Sequence, residues 1–172
     1  MLKITPTQGQ RKMLAALLAG GISLSAALSG VFITGPSEGL QHVPYKDPVG
    51  IATTCYGHTG SVQMKKYTYE ECLNLLVKDL GESEKDVESV IHVPLNVYQK
   101  AALDDFDYNV GITKFRKSHM AELFNQGKYT EGCKQLVNWV YAGKKKLPGL
   151  EKRRDLEMKF CLGELEITNV SP

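Results

Sequence analysis

The sequence predicts an α+β fold in which a small β-hairpin lobe is followed by a mainly helical lobe and preceded by one N-terminal membrane-spanning helix. Three observations carry this reading. Residues 13–33 run for 21 positions without a charge, Asp47-Pro48-Val49-Gly50 has turn chemistry between β-branched and aromatic residues, and after Tyr67 apolar residues recur at helical spacing. With 172 residues, 42% hydrophobic and 23% charged, the chain suits one ordinary globular domain, which excludes a disordered or collagen-like protein.

A helix over residues 13–33 spans roughly 30 Å, the thickness of a bilayer's hydrocarbon. Arg11 and Lys12 stand directly before it and the first charge after it is Glu38, so residues 1–12 read as a basic cytoplasmic N-terminus and everything downstream as exported. The anchor is weak, because only nine of its 21 residues are Leu, Ile, Val or Phe, against five Ala, three Gly and three Ser. Two other readings stay open. Ser25 with Ala27, or Ala27 with Ser29, offers a signal peptidase its small residues, although the apolar run continues through Val31, Phe32 and Ile33 beyond such a cut. A buried core helix is disfavoured by the lack of a polar face.

The exported body is expected over residues 34–163, entered through a Thr34-Gly35-Pro36-Ser37 hinge. Val43 to Tyr56 reads as a hairpin about a type I turn, Asp47 first, Pro48 second and Gly50 fourth. Thr68-Tyr69-Glu70-Glu71 is a capping box that opens a helix bearing Leu73, Leu76, Val77 and Leu80. A second helix is expected from Asn96 to Val110 before Gly111, a third from after Ser118 to before Gly127, and two more near 129–140 and 149–162. Leu103, Phe106 and Val110 form one apolar stripe, and Leu136, Val137, Trp139 and Val140 another. Lys144, Lys145 and Lys146 and the pair Arg153-Arg154 read as solvated charge, and residues 164–172 as a frayed tail.

After residue 37 there are 18 basic residues against 19 acidic ones, so the body has no basic footprint for nucleic acid. All four cysteines fall in the exported part, where an even count points to disulfides. Of three possible pairings, Cys55–Cys72 and Cys133–Cys161 close the local loops, each with a nominal stabilisation of roughly 3 kcal/mol. Zinc ligation and buried thiols are the alternatives, though no CxxC or HxxxH spacing supports zinc.

The candidate chemistry rests on Glu38, Asp47 and Thr53. The hairpin turn folds Asp47 back toward Thr53 while Glu38 enters from the preceding segment, so two carboxylates and a hydroxyl can line one groove. Glycoside hydrolysis needs such a pair, one acid to protonate the leaving oxygen and one carboxylate to activate water. On residue types alone, acids near a turn are more often simply solvated.

Glu38-Gly39, Tyr45-Lys46-Asp47, Gly50, Thr53 and Gly57-His58-Thr59-Gly60 resemble the phage-type lysozymes, glycoside hydrolase family 24. The family pattern of Glu, eight residues, Asp, five residues, Thr is matched without a gap. The resemblance continues through Asn109-Val110-Gly111, Trp139, Tyr141-Ala142-Gly143, Gly149-Leu150 and Arg153-Arg154, and the weak N-terminal span resembles that of signal-arrest-release endolysins. It implies a lysozyme-like fold and an inverting cleavage of the β-1,4 bond between N-acetylmuramic acid and N-acetylglucosamine in peptidoglycan. Glu38 would be the general acid, Asp47 the carboxylate that activates water and Thr53 the hydroxyl that orients it. No metal or cofactor is implied, His58 is expected to be a hydrogen-bonded scaffold residue, and the protein is expected to act as a monomer. It would first sit in the host inner membrane facing the periplasm and then be released. A lytic transglycosylase, needing only one glutamate, and a non-catalytic wall-binding module are the rival readings.

Overall fold

The computed structural model describes residues 1–47 and 50–169. Strand β1 (Leu2–Ile4) leads into α1 (Gln8–Ala19), which opens on a capping box: Thr7 Oγ1 accepts from the Gln10 N–H, and Gln10 Oε1 accepts from the Thr7 N–H. Helix α1 stops at Gly20, Gly21 takes a φ of +91°, and Ser23 caps α2 (Leu24–Ser29) with its hydroxyl. A π-helical turn (Gly30–Thr34) and α3 (Gly35–Glu38) continue from it. The widened turn has a local cause, since Pro36 has no N–H to offer the Phe32 carbonyl, and the Gly35 N–H reaches back to Gly30 instead.

In this structure the expected single helix over residues 13–33 is divided among α1, α2 and the π-helical turn. Among the described residues no helix is long and apolar enough to cross a membrane. The Gly20-Gly21 pair and the Ser23 cap break the run, and the body offers its pieces an apolar surface. Leu14, Leu17, Ala26, Ala27, Leu28, Val31, Phe32 and Ile33 are buried, so the core-helix alternative describes this arrangement best. The Thr34–Ser37 hinge is likewise helical rather than a linker.

Strands β2 (Gln41–Lys46) and β3 (Ala52–Cys55) form the expected antiparallel hairpin, with Tyr45 opposite Thr53, Lys46 opposite Ala52, and a register shift that sets Gln41 opposite Cys55. The Gly50 N–H donates to the Asp47 carbonyl, while Pro48 and Val49, the centre of the expected type I turn, lie outside the described residues. Strand alternation fails at the end of β3, where Thr53, Thr54 and Cys55 are all buried and Cys55 takes a φ of +56°.

The helical lobe begins with α4 (Tyr69–Val90), whose Thr68–Glu71 capping box is present. Helix α5 (Val97–Val110) is capped by Asn96 and ends at Gly111, which holds a φ of +83°. Short helices α6 (Ile112–Arg116), α7 (His119–Asn125) and α8 (Tyr129–Lys134) follow, then a 3-10 turn (Gln135–Asn138) and a hairpin of β4 (Tyr141–Ala142) and β5 (Lys145–Lys146) about Gly143. Helix α9 (Pro148–Cys161) packs along α5. Helix α6 and the β4–β5 hairpin were not expected, and the 129–140 helix tightens into a 3-10 turn after Lys134.

The core holds Leu103, Phe106, Leu136 and Val140 as expected, but Val137 is 45% exposed and leaves its stripe. The two disulfides are Cys55–Cys72, with Cα atoms 5.0 Å apart, and Cys133–Cys161, 5.6 Å apart. They tie the hairpin to α4 and α8 to α9. The frayed tail is corrected for β6 (Leu165–Ile167), which pairs in parallel with β1, Leu2 against Leu165 and Ile4 against Ile167. Buried Leu165 and Ile167 give that strand an apolar anchor.

Gly30 shows how closely the N-terminal segment packs. A Cβ there would lie 2.7 Å from Leu80 Cδ1 and 2.8 Å from Leu17 Cδ1. Gly30→Ala is expected to lower stability by about 1–3 kcal/mol through overpacking. Gly9→Ala, on an open face of α1 with only Thr7 Oγ1 at 4.0 Å, should be neutral or gain up to about 1 kcal/mol of helix propensity. Denaturant unfolding of the two variants checks this, and equal midpoints would contradict it.

Candidate active site

Glu38 is the last residue of α3, and Gly39, with a φ of +70°, turns the chain away immediately after it. Its Oε1 accepts from Arg153 Nη1 at 2.6 Å. Its carboxyl lies against Gly57, where an added Cβ would stand 2.8 Å from Oε2, and Gly57 also holds a φ of +85°. Only glycine meets both demands. Next to it, Tyr108 Oη donates to the Tyr56 carbonyl at 2.7 Å and ties α5 to the loop after β3.

Arg153 is 5% exposed and needs anions on both sides. Asp105 on α5 supplies the second, accepting from Nε at 2.8 Å and from Nη2 at 2.9 Å in a two-point pair. Asp105 also accepts from Thr34 Oγ1 at 2.6 Å. Burial is the largest influence and would raise the Asp105 carboxyl, but the Arg153 charge together with the hydrogen bonds from Arg153 and Thr34 overcomes it and holds the group below the usual carboxylate range. Burial opposes the Arg153 charge as well, yet Asp105, Glu38 and Glu157 hold its guanidinium above the ordinary value. Glu157, fully buried 2.7 Å from Arg154 Nη2, is pushed well up by desolvation. The reading of Arg153-Arg154 as solvated charge is thus corrected. Both are buried, and they lie on one α9 face with Glu157, Phe160 and Cys161.

The hairpin places the other two candidates. Asp47 closes β2, its N–H donating to the Ile51 carbonyl while its Oδ1 accepts from the Ile51 N–H at 2.8 Å. Thr53, 4% exposed, donates from Oγ1 to the same Ile51 carbonyl at 3.1 Å. Asp47 and Thr53 are thus joined through one peptide residue, whereas Glu38 meets the hairpin from its other end, over Gly57. His58 is a scaffold residue as expected, with Nδ1 2.8 Å from Asp79 Oδ2 and a backbone bridge to Thr54. Sequence reasoning missed Arg153, Asp105 and Thr34. The available signal was the i, i+4 and i+7 spacing of Arg153, Glu157 and Phe160 on one helix face.

Residues 35–157, a span that holds Glu38, Asp47, Thr53 and Arg153, match the family model described as Phage lysozyme. The chain belongs to the phage lysozyme family and is a glycoside hydrolase. It is 42% identical over 159 residues to the SAR-endolysin of Enterobacteria phage P21, covering 88% of this chain and 94% of that one. It is 39% identical over 152 residues to the SAR-endolysin of Pseudomonas phage phiKMV, covering 83% and 89%. Among solved structures, the active form of P1 phage endolysin Lyz shares the fold with a TM-score of 0.78 at 20% identity, covering 90% of this chain and 94% of that one.

A cavity of about 360 Å³ lies beside this site, between Gly57–Gly60, α4 and the end of α5, and contains none of Glu38, Asp47 or Thr53. Its wall includes Asp107, which is 3% exposed and has no partner for Oδ1 among the described residues. Burial, with the nearby charge of Asp86, pushes this carboxyl from the usual 3.8 up to about 7, against a hydrogen bond from Ser83. The native state then holds a proton that the unfolded chain releases, so this group lowers stability as pH rises from about 4 to 7. Asp107→Asn is expected to melt higher than the parent at pH 8, with the gap shrinking toward pH 4. Melts across that range test it, and a gap that grows on acidification would reverse the sign.

Proposed function

We propose that the protein is an endolysin that hydrolyses the β-1,4 bond between N-acetylmuramic acid and N-acetylglucosamine in peptidoglycan, with Glu38 as general acid, Asp47 as the base for the attacking water and Thr53 orienting that water. The observation that carries this reading is Glu38, partly exposed and fixed by a buried arginine, inside a lysozyme-family match that also takes in Asp47 and Thr53. Arg153 fixes the carboxyl's direction, and Gly57 leaves room for it. The Asp47 and Thr53 side chains converge on the Ile51 peptide, which restricts both to one end of the hairpin. In an inverting reaction the acid protonates the glycosidic oxygen while the second carboxylate takes a proton from water on the opposite sugar face.

Glu38→Gln keeps the shape but cannot donate a carboxylic proton, so lytic activity should fall by about 10²- to 10⁴-fold while the fold survives. Clearing of cell walls at the parental rate by a folded Glu38→Gln protein would refute the role. Mass spectrometry of the digest separates the mechanisms. Reducing ends mean hydrolysis, 1,6-anhydro ends mean transglycosylation, and no release means wall binding alone.

The same chain reads as first tethered in the inner membrane through residues 13–33 and later released into the periplasm. The relatives' designation as SAR-endolysins and the length of the uncharged run support this. Ser23, Ser25, Ser29 and Thr34 all hydrogen-bond within the body, so the features that weaken the anchor find partners once it packs. Gly20 and Gly30 are poor places to strengthen the anchor, since a Cβ at Gly20 would meet Val77 at 2.6 Å and one at Gly30 would meet Leu80. Ala15, Ala16 and Ala19 are exposed in the packed form. Replacing all three by leucine adds roughly 1–2 kcal/mol of insertion preference, at about 0.3–0.6 kcal/mol each. That variant should stay in the membrane fraction and delay lysis after depolarisation, while refolded, detergent-free protein keeps parental activity. Release and lysis as fast as the parent would exclude the tether as the control step.

A further inference from the structure

Thr34 is fully buried at the end of the π-helical turn, out of contact with solvent. Its hydroxyl has one proton and gives it to Asp105 Oδ1 at 2.6 Å, so the 3.2 Å contact with Ser29 Oγ must be donated by Ser29. Asp105 Oδ1 therefore faces both Thr34 and Arg153 Nη2, at 2.6 and 2.9 Å, while Oδ2 takes Arg153 Nε at 2.8 Å. The remaining edge of the guanidinium, Nη1, lies on Glu38 Oε1 at 2.6 Å. A guanidinium is planar and stiff, so the plane chosen at the Asp105 edge fixes the direction offered at the Glu38 edge. The Asp105 carboxylate can in turn rotate about its own bond unless something outside the arginine pair holds it.

We propose that Thr34 is a positioning residue for the hydrolytic reaction, its hydroxyl fixing the Asp105 carboxylate and, through Arg153, the carboxyl of Glu38. This rests on Glu38 being the general acid. A hydroxyl that merely satisfied buried polarity would affect stability alone. One that sets Glu38 affects turnover, because displacing a reacting group by about 1 Å can cost on the order of 10²-fold in rate.

The test uses purified, detergent-free full-length protein on soluble glycan strands, with kcat and KM measured separately. Thr34→Val keeps the shape and removes the donor. Its kcat should fall by about 10-fold or more with KM within about 2-fold, and Thr34→Ser should restore most of the loss. In a Glu38→Gln background, Thr34→Val should add little further loss, since both act through one carboxyl. Parental kcat in a folded Thr34→Val protein overturns the proposal, as does an equal loss in Thr34→Ser. If the valine variant does not fold, Thr34→Ser and Thr34→Ala, which differ by the hydroxyl alone, repeat the comparison, and equal kcat values overturn it. Full activity of Glu38→Gln alone would instead remove the reading on which the proposal stands, whatever Thr34 does.

Discussion

A guanidinium that cannot lose its charge lies almost wholly buried at Arg153, and the rest of the molecule is arranged to answer it. Asp105 comes from the middle of α5 and Glu38 from the end of α3, so one side chain of α9 links two other helices. Removing Asp105 would strip the buried guanidinium of its two-point partner, at a cost of about 3–5 kcal/mol. Structural necessity and site geometry coincide here. The arrangement that keeps Arg153 tolerable also decides where the Glu38 carboxyl points, and the Gly57 turn brings the hairpin lobe up against that carboxyl.

Under the proposed tethering, the N-terminal segment meets a second constraint, since its composition would have to suit two surroundings. In hydrocarbon, alanine, glycine and serine make a poor anchor. Inside the body the same residues let helices meet closely at Gly20 and Gly30, and Ser23, Ser25, Ser29 and Thr34 are joined by hydrogen bonds. Leucine at Gly20 or Gly30 would favour the first surroundings and spoil the second. Thr34 stands where the two meet, covalently next to the apolar run and hydrogen-bonded to the support of Glu38.

Local chemistry made much of this legible in the sequence. The Thr68–Glu71 box, the Asn96 and Ser118 caps and the Gly111 stop act within a few residues, and the structure keeps all of them. Glu38, Asp47 and Thr53 could be picked out through a family spacing, not through their residue types. What stayed hidden was long-range. Burial of Arg153 depends on a carboxylate 48 positions earlier, and no local pattern announces that pairing. The uncharged run misled for a related reason: periodicity describes what a segment could cross, whereas the break at Gly20-Gly21 and the apolar surfaces of α4, α5 and α9 decide how it packs here. Strand β6 looked like a tail because its partner is the other end of the chain.

That terminal pairing bears on the direction of the process. In an orientation with the N-terminus inside the cell, Leu2–Ile4 and Leu165–Ile167 stand on opposite sides of the bilayer, so the parallel β1–β6 ladder cannot form until Lys3, Arg11 and Lys12 have all been drawn across. Once it forms, Leu2 N–H donates to the Glu164 carbonyl, Thr168 N–H to the Ile4 carbonyl, and the Tyr98 hydroxyl accepts from Ile167. Re-entry would then require unzipping both ends of the chain and returning three positive charges through hydrocarbon. Under the proposed tethering, the ladder would work as a latch that gives withdrawal a single direction.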